Sequence, residues 1–310
     1  MAELITHTPT MISHSLQCDQ AATTAHFSTI GSFFSNTARD NLLTFNEIES
    51  TDPVTLMIDL DETLIHSSFE KPEFYSFSLD VPFNNSVYTV YVQIRPGAEE
   101  FIRQLCFLSY GSLINKIARE DNRDNFMNYY NSIFQNGSNL SNSDASSEGM
   151  SAANGFNTGF LRIDESNFMQ IRNNLNFFRK GVFDVFIFTA SMPEYAVPVV
   201  QKLVPWFPTS HILTRQYCRI VNISGQNDST SNSQSCPVIV KDLTVFKRDL
   251  ARMIIVDNSA ESFMLQPENG ILASTWIGDV TDFTLLDNLF PMLTAVAMAR
   301  DVRVAMHPSA

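Results

Sequence analysis

Cysteine and basic residues are scarce in this chain, and their scarcity argues against several classes of protein. The four cysteines, Cys18, Cys106, Cys218 and Cys236, lie far apart and form no Cys-x-x-Cys pair. A disulfide framework or structural zinc site is therefore not expected, and an intracellular protein, nuclear or cytoplasmic rather than secreted, is the default. Lys and Arg number 20 against 33 Asp and Glu, which gives a net charge of −13. Without a basic stripe to neutralise phosphates, the chain is not expected to bind nucleic acid directly.

Long apolar runs are also missing. The best candidate for a membrane span, 285–299, contains Asp287, Asn288 and Pro291 and is shorter than the roughly 20 residues that a span needs. The N-terminus has neither a basic segment nor an apolar core, so we expect no secretion signal. With 44% hydrophobic residues, the chain has enough apolar side chains for a sizeable folded core.

One stretch, 54–68, combines a structural signal with a chemical one. Residues 54–58 are mostly apolar, which predicts a strand buried on both faces of a parallel sheet. Asp59 and Asp61 follow directly, with Thr63 two residues further on. Acids at the carboxyl end of a buried strand lie where α/β sheets bind their ligands. The pattern is short and also occurs in plain turns, so the prediction depends on its position after the strand.

Two later apolar segments repeat this arrangement. Residues 183–188 lead to Thr189, and residues 253–256 lead to Asp257 and Asn258. Apolar strands that alternate with helical segments predict an α/β fold, with a parallel sheet flanked by helices. Because the carboxyl ends of parallel strands share one edge of the sheet, we expect these polar residues to lie near the first acids.

The segment after the first acids predicts a smaller antiparallel element. Apolar and polar residues alternate over 74–94 around Asn84 and Asn85, which predicts a β-hairpin that stands over the acidic loop as a flap. Further along the chain, Ser191 is placed to cap a helix that has Pro193 in its first turn.

The first part of the chain differs from the rest in composition. Residues 1–50 are rich in Ser, Thr, Asn and His and show no periodicity, which predicts a disordered tail. Phe33, Phe34 and residues 42–45 offer an alternative, because such apolar groups could dock to a protein partner.

Residues 51–310 are predicted to form one catalytic domain that carries two insertions. A polar, partly flexible insertion covers about 107–167, and a loop insertion covers about 223–236. The longer insertion is a second possible contact for a protein partner. Near the C-terminus, 285–306 predicts a packing helix that is broken near Pro291.

The polar residues at the strand ends fit the requirements of phosphoryl transfer. Asp59 would act as the nucleophile and form an aspartyl-phosphate. Asp61 would protonate the departing seryl or threonyl oxygen and then activate a water molecule. Thr189 and main-chain N–H groups of the acidic loop would hold the phosphate oxygens. Lys241, which follows the apolar run 238–240, would add a positive charge beside the phosphate.

The same residues predict a Mg²⁺ site. Asp59, the main-chain carbonyl of Asp61, and Asn258 would bind the ion, with Asp257 bonding directly or through water. Mg²⁺ prefers few protein oxygens together with waters and a substrate phosphate. It also lets an anionic nucleophile approach an anionic phosphate.

The motifs resemble those of a known family, the FCP/SCP-type phosphatases of the haloacid dehalogenase (HAD) superfamily. This family includes the RNA polymerase II C-terminal-domain (CTD) small phosphatases and the Dullard-like and NLI-interacting-factor-like proteins. The resemblance lies in 60–68, Arg95-Pro, 188–192 with Tyr195, 240–243 and 255–259. It implies a HAD-like Rossmannoid fold and Mg²⁺-dependent dephosphorylation of Ser or Thr, on the polymerase CTD or another phosphoprotein. It also places Thr63 among the catalytic residues.

The resemblance further implies a substrate-binding surface beside the flap. Apolar residues fall where the polymerase-directed members place a wall for a proline side chain, and two polar residues fall where substrate is bound. These residues are Phe69, Val81, Phe83, Val90 and Met192, with Tyr195 and Arg215. The apolar members of the set could instead simply pack the hairpin.

Two other functions are compatible with the sequence. One is a catalytically silent binding or scaffold protein on the same fold, as in a mitochondrial import receptor subunit that resembles these phosphatases. Such a scaffold can lose its catalytic acids, whereas Asp59, Asp61 and Asp257 are all present here. The other is a small-molecule phosphatase of the HAD superfamily. Those enzymes usually carry a large cap, but the span from Thr189 to Lys241 is short, and an open site favours a peptide.

Overall fold

The computed structural model describes residues 41, 43, 47, 50–113, 180–224 and 235–307. The strands are β1 (Val54–Ile58), β2 (Ile65–Ser68), β3 (Phe77–Phe83), β4 (Ser86–Ile94), β5 (Phe183–Phe188), β6 (Ile212–Leu213), β7 (Arg219–Ser224), β8 (Ser235–Val240), β9 (Met253–Asp257) and β10 (Gly270–Leu272). The α-helices are α1 (Ala98–Phe107), α2 (Pro193–Leu203), α3 (Phe290–Val296) and α4 (Val302–Met306), and a π-helical turn, Leu285–Leu289, precedes α3. Short 3₁₀ turns connect several of these elements.

The central element is a five-stranded sheet in the order β10-β9-β1-β5-β6. All of its neighbouring strands are parallel. Every residue of β1 and of β9 is buried, as expected for strands that are covered on both faces. The α/β fold with a parallel sheet is therefore confirmed.

The register of this sheet brings the carboxyl ends of three strands level. Ile58, at the end of β1, pairs with Ile187 of β5 and with Val256 of β9. The main-chain N–H of Asp59 continues the ladder by donating to the carbonyl of Val256 at 2.9 Å. The residues that follow these strands therefore emerge at one edge of the sheet, as the sequence predicted.

A second sheet, in the order β2-β4-β3, is antiparallel. Asn84 and Asn85 have φ values of 48° and 61°, and Phe83 pairs with Ser86 across them. Two residues with positive φ form the tight turn that matches the twist of a hairpin, and Asn tolerates this conformation well. The predicted hairpin is confirmed, with β2 as an additional third strand; these three strands are called the flap.

Two local predictions about helices were wrong. Met192, not Ser191, occupies the position that caps α2, although Pro193 does begin the helix. Pro291 does not break the C-terminal helix, because it is the second residue of α3, where the helical register changes from π to α. The break lies instead at 297–301, between α3 and α4.

The chain divides into two compact units, and the two sheets belong to the one formed by Val54–Cys106 and Phe183–Thr294. The sequence analysis did not predict the hairpin formed by β7 and β8, whose strands pair from Arg219 with Val240 to Ser224 with Ser235. These strands extend into both ends of the loop predicted for 223–236. The centre of that loop, 225–234, lies outside the described residues.

The second unit includes parts of the predicted N-terminal tail. The N–H of Leu43 donates to the carbonyl of Met298 at 2.9 Å, and the N–H of Arg300 donates to that of Asn41 at 2.6 Å. The side chain of Leu43 is buried. These contacts place the backbone of Asn41 and the buried Leu43 beside residues 298–300, whereas disorder of residues 1–50 as a whole stays a prediction. The remainder of the tail, except Glu47 and Ser50, lies outside the described residues.

The same unit holds the base of the longer insertion. Ser109 and Gly181 form an antiparallel bridge, flanked by hydrogen bonds from Tyr110 N–H to the Lys180 carbonyl and from Val182 N–H to the Leu108 carbonyl. These two short pieces, 108–110 and 180–182, are called the stem. The rest of the predicted insertion, from residue 114 to 167, lies outside the described residues. No helix in the described part of the chain has the length and apolar character to cross a membrane.

Candidate active site

Three buried charged groups meet at the carboxyl edge of the parallel sheet. The Nζ of Lys241 donates to Asp59 Oδ1 and to Asp257 Oδ2, each at 2.5 Å. Lys241 follows β8, Asp59 follows β1 and Asp257 ends β9, so three separate strands supply the cluster. All three side chains are buried, and water therefore screens their charges only weakly.

The cluster places two carboxyl groups against one ammonium group. Burial raises the pKa of Asp59 to about 8, and the nearby carboxylates of Asp257 and Asp61 add to the rise against the opposing effect of Lys241. Burial alone would lower the pKa of Lys241, but Asp257 and Asp59 raise it above its ordinary value. Lys241 is therefore charged, and it holds two carboxylates that repel each other.

Asp61 lies in a different environment, among hydroxyl groups. Its Oδ1 accepts from the hydroxyl of Tyr195 at 2.7 Å, and its Oδ2 accepts from those of Ser191 at 2.8 Å and Thr189 at 3.2 Å. Burial and the charge of the adjacent Glu62 raise the pKa of Asp61, although the three hydroxyls oppose this rise. A raised pKa favours a carboxyl group that carries a proton it can donate. Two acids separated by one residue thus have environments suited to different roles.

The backbone between the acids and the flap is held in a tight turn. Glu62 has a φ of 57°, an uncommon conformation for a residue other than glycine. Its N–H donates to the carbonyl of Ile65, and its own carbonyl accepts from the N–H of Trp276, each at 2.7 Å. Its carboxylate lies 3.2 Å from Nδ1 of His66. These contacts hold the backbone of Glu62 in place and so restrict the orientation of Asp61, the residue before it.

Thr63 contributes through its backbone more than through its hydroxyl. The side chain is fully buried, and its Oγ1 has no hydrogen-bond partner among the described residues. The carbonyl of Thr63, however, accepts from Nη1 of Arg95 at 2.9 Å. Nη2 of Arg95 also donates to Ser274 Oγ at 2.7 Å and to Asp282 Oδ2 at 2.8 Å. Arg95 is 1% exposed and ties the acidic loop to the segment that follows β10.

Replacing Arg95 is expected to destabilise the fold strongly. Arg95→Met leaves the partly exposed Asp282 without its cation and removes the buried hydrogen bonds to the Thr63 carbonyl and Ser274, and each buried group left without a partner costs about 1–3 kcal/mol of unfolding free energy. Burial opposes the charge of Asp282, but Arg95 holds its pKa below the ordinary value. In the wild type, the pair therefore stabilises the fold at a pH above the pKa of Asp282 in the unfolded chain, about 4. This stabilisation is lost as the pH falls through the lower pKa of Asp282 in the folded protein.

Urea unfolding at pH 7 and at decreasing pH measures both effects. The matched control is Arg103→Met, because Arg103 pairs with Glu100 on the exposed face of α1, where water screens the charges and loss of the pair should change the unfolding free energy little. Equal losses for the two variants, or an unchanged acid dependence in Arg95→Met, would contradict the assignment.

The donor set suits a Mg²⁺ ion. Among the residues that the structure describes, no three His, Cys, Asp or Glu side chains are grouped as a metal site. Mg²⁺, however, typically uses one or two carboxylates and completes its shell with water and phosphate. Asp59 and Asp257 supply those carboxylates, and their excess negative charge is what a cation would neutralise. Asn258 donates through Nδ2 to Thr275 at 3.3 Å, and its amide oxygen is suited to serve as a ligand.

The residues assigned to substrate binding fall into two groups. Four are partly exposed, namely Phe69, Phe83, Met192 and Arg215. Nε of Arg215 donates to the Ala190 carbonyl at 2.7 Å, which orients its guanidinium. Three are fully buried, namely Val81, Val90 and Tyr195. Val81 and Val90 have no exposed surface in this conformation, and the Tyr195 hydroxyl donates to Asp61; their part in substrate binding stays a prediction.

The structure also shows site residues that the sequence analysis missed. Ser191 was assigned to a helix cap, but its hydroxyl binds Asp61. Ser67, on β2, was not assigned any role, although its Oγ lies 2.6 Å from the Tyr195 hydroxyl. Thr189, expected to face the phosphate, contacts Asp61 instead. A signal was available in part, since Thr189 and Ser191 are hydroxyl residues that directly follow β5, at the edge of the sheet where Asp61 was expected.

Comparison with known proteins gives a family match over most of the chain. The family model described as "NLI interacting factor-like phosphatase" matches residues 54–127 and 140–303. The chain is 27% identical over 255 residues to "Probable C-terminal domain small phosphatase" of Dictyostelium discoideum, which covers 82% of this chain and 54% of the relative. It is 26% identical over 252 residues to "CTD small phosphatase-like protein" of Homo sapiens, covering 81% and 59% respectively. The chain thus spans little more than half the length of these relatives.

Among solved structures, the chain is similar to one described as "The Structure of Fcp1, an essential RNA polymerase II CTD phosphatase". The superposition covers 81% of this chain and 50% of that one, with 13% sequence identity and a TM-score of 0.37. A likeness this distant carries no weight for fold or function, so the functional assignment depends on the family match and on the site itself.

Proposed function

The chain belongs to the NLI interacting factor-like phosphatase family, and from this premise we propose that it hydrolyses phosphoserine or phosphothreonine in proteins. Membership confirms the resemblance that the motifs indicated. The observation that carries the proposal is the contrast between two neighbouring acids. Asp59 is held by Lys241 at 2.5 Å, whereas Asp61 is held by three hydroxyls.

The proposed reaction has two steps. In the first, an oxygen of Asp59 attacks the phosphorus and forms an aspartyl-phosphate. The bond from phosphorus to the seryl or threonyl oxygen breaks, and that oxygen takes the proton of Asp61. In the second, Asp61, now a carboxylate, accepts a proton from water as the water oxygen attacks the phosphorus. The bond from phosphorus to the Asp59 oxygen breaks, inorganic phosphate leaves, and Asp59 is again a carboxylate while Asp61 again carries a proton.

Lys241 and the metal site serve the nucleophile. Lys241 favours the ionised form of Asp59 and orients its carboxylate, since Asp59 Oδ1 is bound to Nζ and Oδ2 has no protein donor among the described residues. Mg²⁺ would be held by Asp59, Asp257, Asn258 and the main-chain oxygen of Asp61, and when bound it would neutralise charge on the phosphate.

The proposed substrate is a phosphorylated peptide segment, on the RNA polymerase II CTD or on another phosphoprotein. The names of the relatives from Dictyostelium and human refer to phosphatases of the C-terminal domain. Four side chains are partly exposed: Phe69 just after β2, Phe83 on β3, Met192 just before α2 and Arg215 just after β6. They offer apolar and cationic contacts to residues that flank a phosphate.

Removal of metal provides the direct test of this chemistry. With excess Mg²⁺, we expect the protein to hydrolyse an aryl phosphate and a phosphoserine peptide. With EDTA, turnover of both should fall to background and return when Mg²⁺ is added back, because the phosphate charge is then neutralised again. The thermal unfolding of each sample serves as a control for loss of fold.

Two results would contradict the proposal. If folded protein hydrolyses neither substrate in the presence of Mg²⁺, the protein is not the proposed phosphatase. If the protein hydrolyses a sugar phosphate with a higher kcat/KM than the phosphopeptide, its substrate is a small molecule and not a phosphoprotein.

A further inference from the structure

Behind the Asp61 carboxyl, two buried hydroxyls connect it to the flap. Ser67 Oγ and Tyr195 Oη lie 2.6 Å apart, and Tyr195 Oη lies 2.7 Å from Asp61 Oδ1. Ser67 is 2% exposed and Tyr195 is fully buried. Water therefore does not replace either contact, and each hydroxyl depends on the next for its hydrogen bond.

The direction of these hydrogen bonds follows from counting protons. Each hydroxyl has one proton to donate. When Tyr195 donates its proton to Asp61, it can receive one only from Ser67, so Ser67 must be the donor to Tyr195. A donor that itself accepts a hydrogen bond is polarised and binds more strongly. The contact of Tyr195 with Asp61 therefore depends on Ser67.

The two oxygens of Asp61 are held from different elements. Tyr195, on α2, holds Oδ1, and Ser191, just before α2, holds Oδ2 at 2.8 Å. Turning the carboxyl group about its bond to Cβ would break at least one of these contacts. Packing alone does not require this arrangement, because Phe at 195 and Ala at 191 or 67 would fill nearly the same space without burying hydroxyls.

We propose that Ser67, Tyr195 and Ser191 are positioning residues that orient the Asp61 carboxyl for proton transfer to the leaving oxygen. Ser67 extends this control to the flap, since it lies on β2, two residues before the partly exposed Phe69. This inference rests on the proposed phosphatase function. It gives these three residues a role in orienting Asp61 and none in contacting the substrate.

Leaving groups of different basicity distinguish this role from a merely structural one. A 2,4-dinitrophenolate departs without protonation, whereas a seryl oxygen needs the proton of Asp61. The quantity to measure is kcat/KM, because it reports steps up to departure of the leaving group and so excludes the later activation of water by Asp61. The two substrates are 2,4-dinitrophenyl phosphate and a phosphoserine peptide.

For Tyr195→Phe, we expect kcat/KM to fall about 10- to 100-fold on the phosphoserine peptide but less than about 3-fold on dinitrophenyl phosphate, since only part of a general acid's contribution is lost. Ser67→Ala and Ser191→Ala should show the same selectivity with smaller losses. In the Tyr195→Phe background, Ser67→Ala should have no further effect, because Ser67 acts through Tyr195. The matched controls are Ser78→Ala and Tyr91→Phe, which alter flap hydroxyls outside this network and should leave both substrates unchanged.

Each outcome is decisive. Equal losses on both substrates, or independent and additive losses for Ser67→Ala and Tyr195→Phe, would overturn the inference while leaving the phosphatase function intact. Failure of the wild-type protein to hydrolyse either substrate would overturn the function and the inference with it. If Tyr195→Phe does not fold, the selectivity of Ser67→Ala, which removes a single oxygen, decides the question.

Discussion

Asp59→Asn is expected to abolish turnover while leaving the protein folded. The amide has the shape of the carboxylate but is not a nucleophile, so no aspartyl-phosphate can form. Loss of a covalent nucleophile costs on the order of 10⁴-fold or more in kcat. The substitution also removes one of two like charges beside Lys241, so we expect the variant to be at least as stable as the wild type.

The measurement is kcat on aryl phosphate and phosphopeptide in Mg²⁺, together with urea unfolding of the same samples. Asp249→Asn is the matched control, since Asp249 is exposed and caps a short 3₁₀ turn, a place where Asn works equally well. Mass analysis of wild-type protein quenched during turnover should find the phosphoryl group on Asp59. Residual turnover near the wild-type rate would exclude Asp59 as the nucleophile.

Lys241→Met is expected to lose both activity and stability. Without the ammonium, the carboxylates of Asp59 and Asp257 are buried side by side with no cation, which costs about 3–5 kcal/mol of unfolding free energy. Kcat should fall as well, because nothing then holds Asp59 ionised and oriented. Met preserves the length of the side chain, so lost packing contributes little.

The loss of stability should depend on pH in a known direction. Burial already raises the pKa of Asp59 to about 8, and removal of Lys241 raises it further. An acid whose pKa is higher in the folded than in the unfolded protein stabilises the fold when it is protonated. That stabilisation is fully present below the pKa of the unfolded chain, about 4, and is lost as the pH rises through the pKa of the folded protein. Because Asp59 of the wild type ionises near pH 8 and that of the variant only at higher pH, the deficit of Lys241→Met should be smaller below pH 8 and should grow as the pH rises above 8.

Two controls make this second prediction specific. Lys202→Met, at an exposed position on α2, should change the unfolding free energy by less than about 0.5 kcal/mol. In the double variant with Asp59→Asn, part of the stability should return, because only one buried carboxylate remains. A deficit that is independent of pH and is not relieved in the double variant would show that Lys241 acts by packing alone.

The parts of the molecule that sequence reasoning predicts are those encoded locally. The buried strands β1, β5 and β9 are continuous apolar runs, and the flap hairpin shows alternation around two asparagines. Once parallel pairing is assumed, Asp59 and Asp257 must emerge at the same edge, because a parallel register leaves no other choice.

The parts that sequence reasoning did not reach depend on distant contacts. The bond between Ser67 and Tyr195 joins positions 128 residues apart, and no local pattern indicates it. Ser191 illustrates the same difficulty, since a serine before a helix is more often a cap, and only the position of Asp61 gives its hydroxyl another partner. Val81 and Val90 were assigned by position in a resemblance, but whether a valine on a half-exposed sheet faces the interior depends on what packs against it.

The stem formed around Ser109 and Gly181 gives the chain a modular construction. The hydrogen bond from Tyr110 N–H to the Lys180 carbonyl holds two positions that are far apart in the sequence side by side. The entropy of closing a loop grows only with the logarithm of its length, so adding or deleting sequence between these points changes the free energy of folding by little. The stem therefore sets the separation of its two ends whatever the length of the sequence between them.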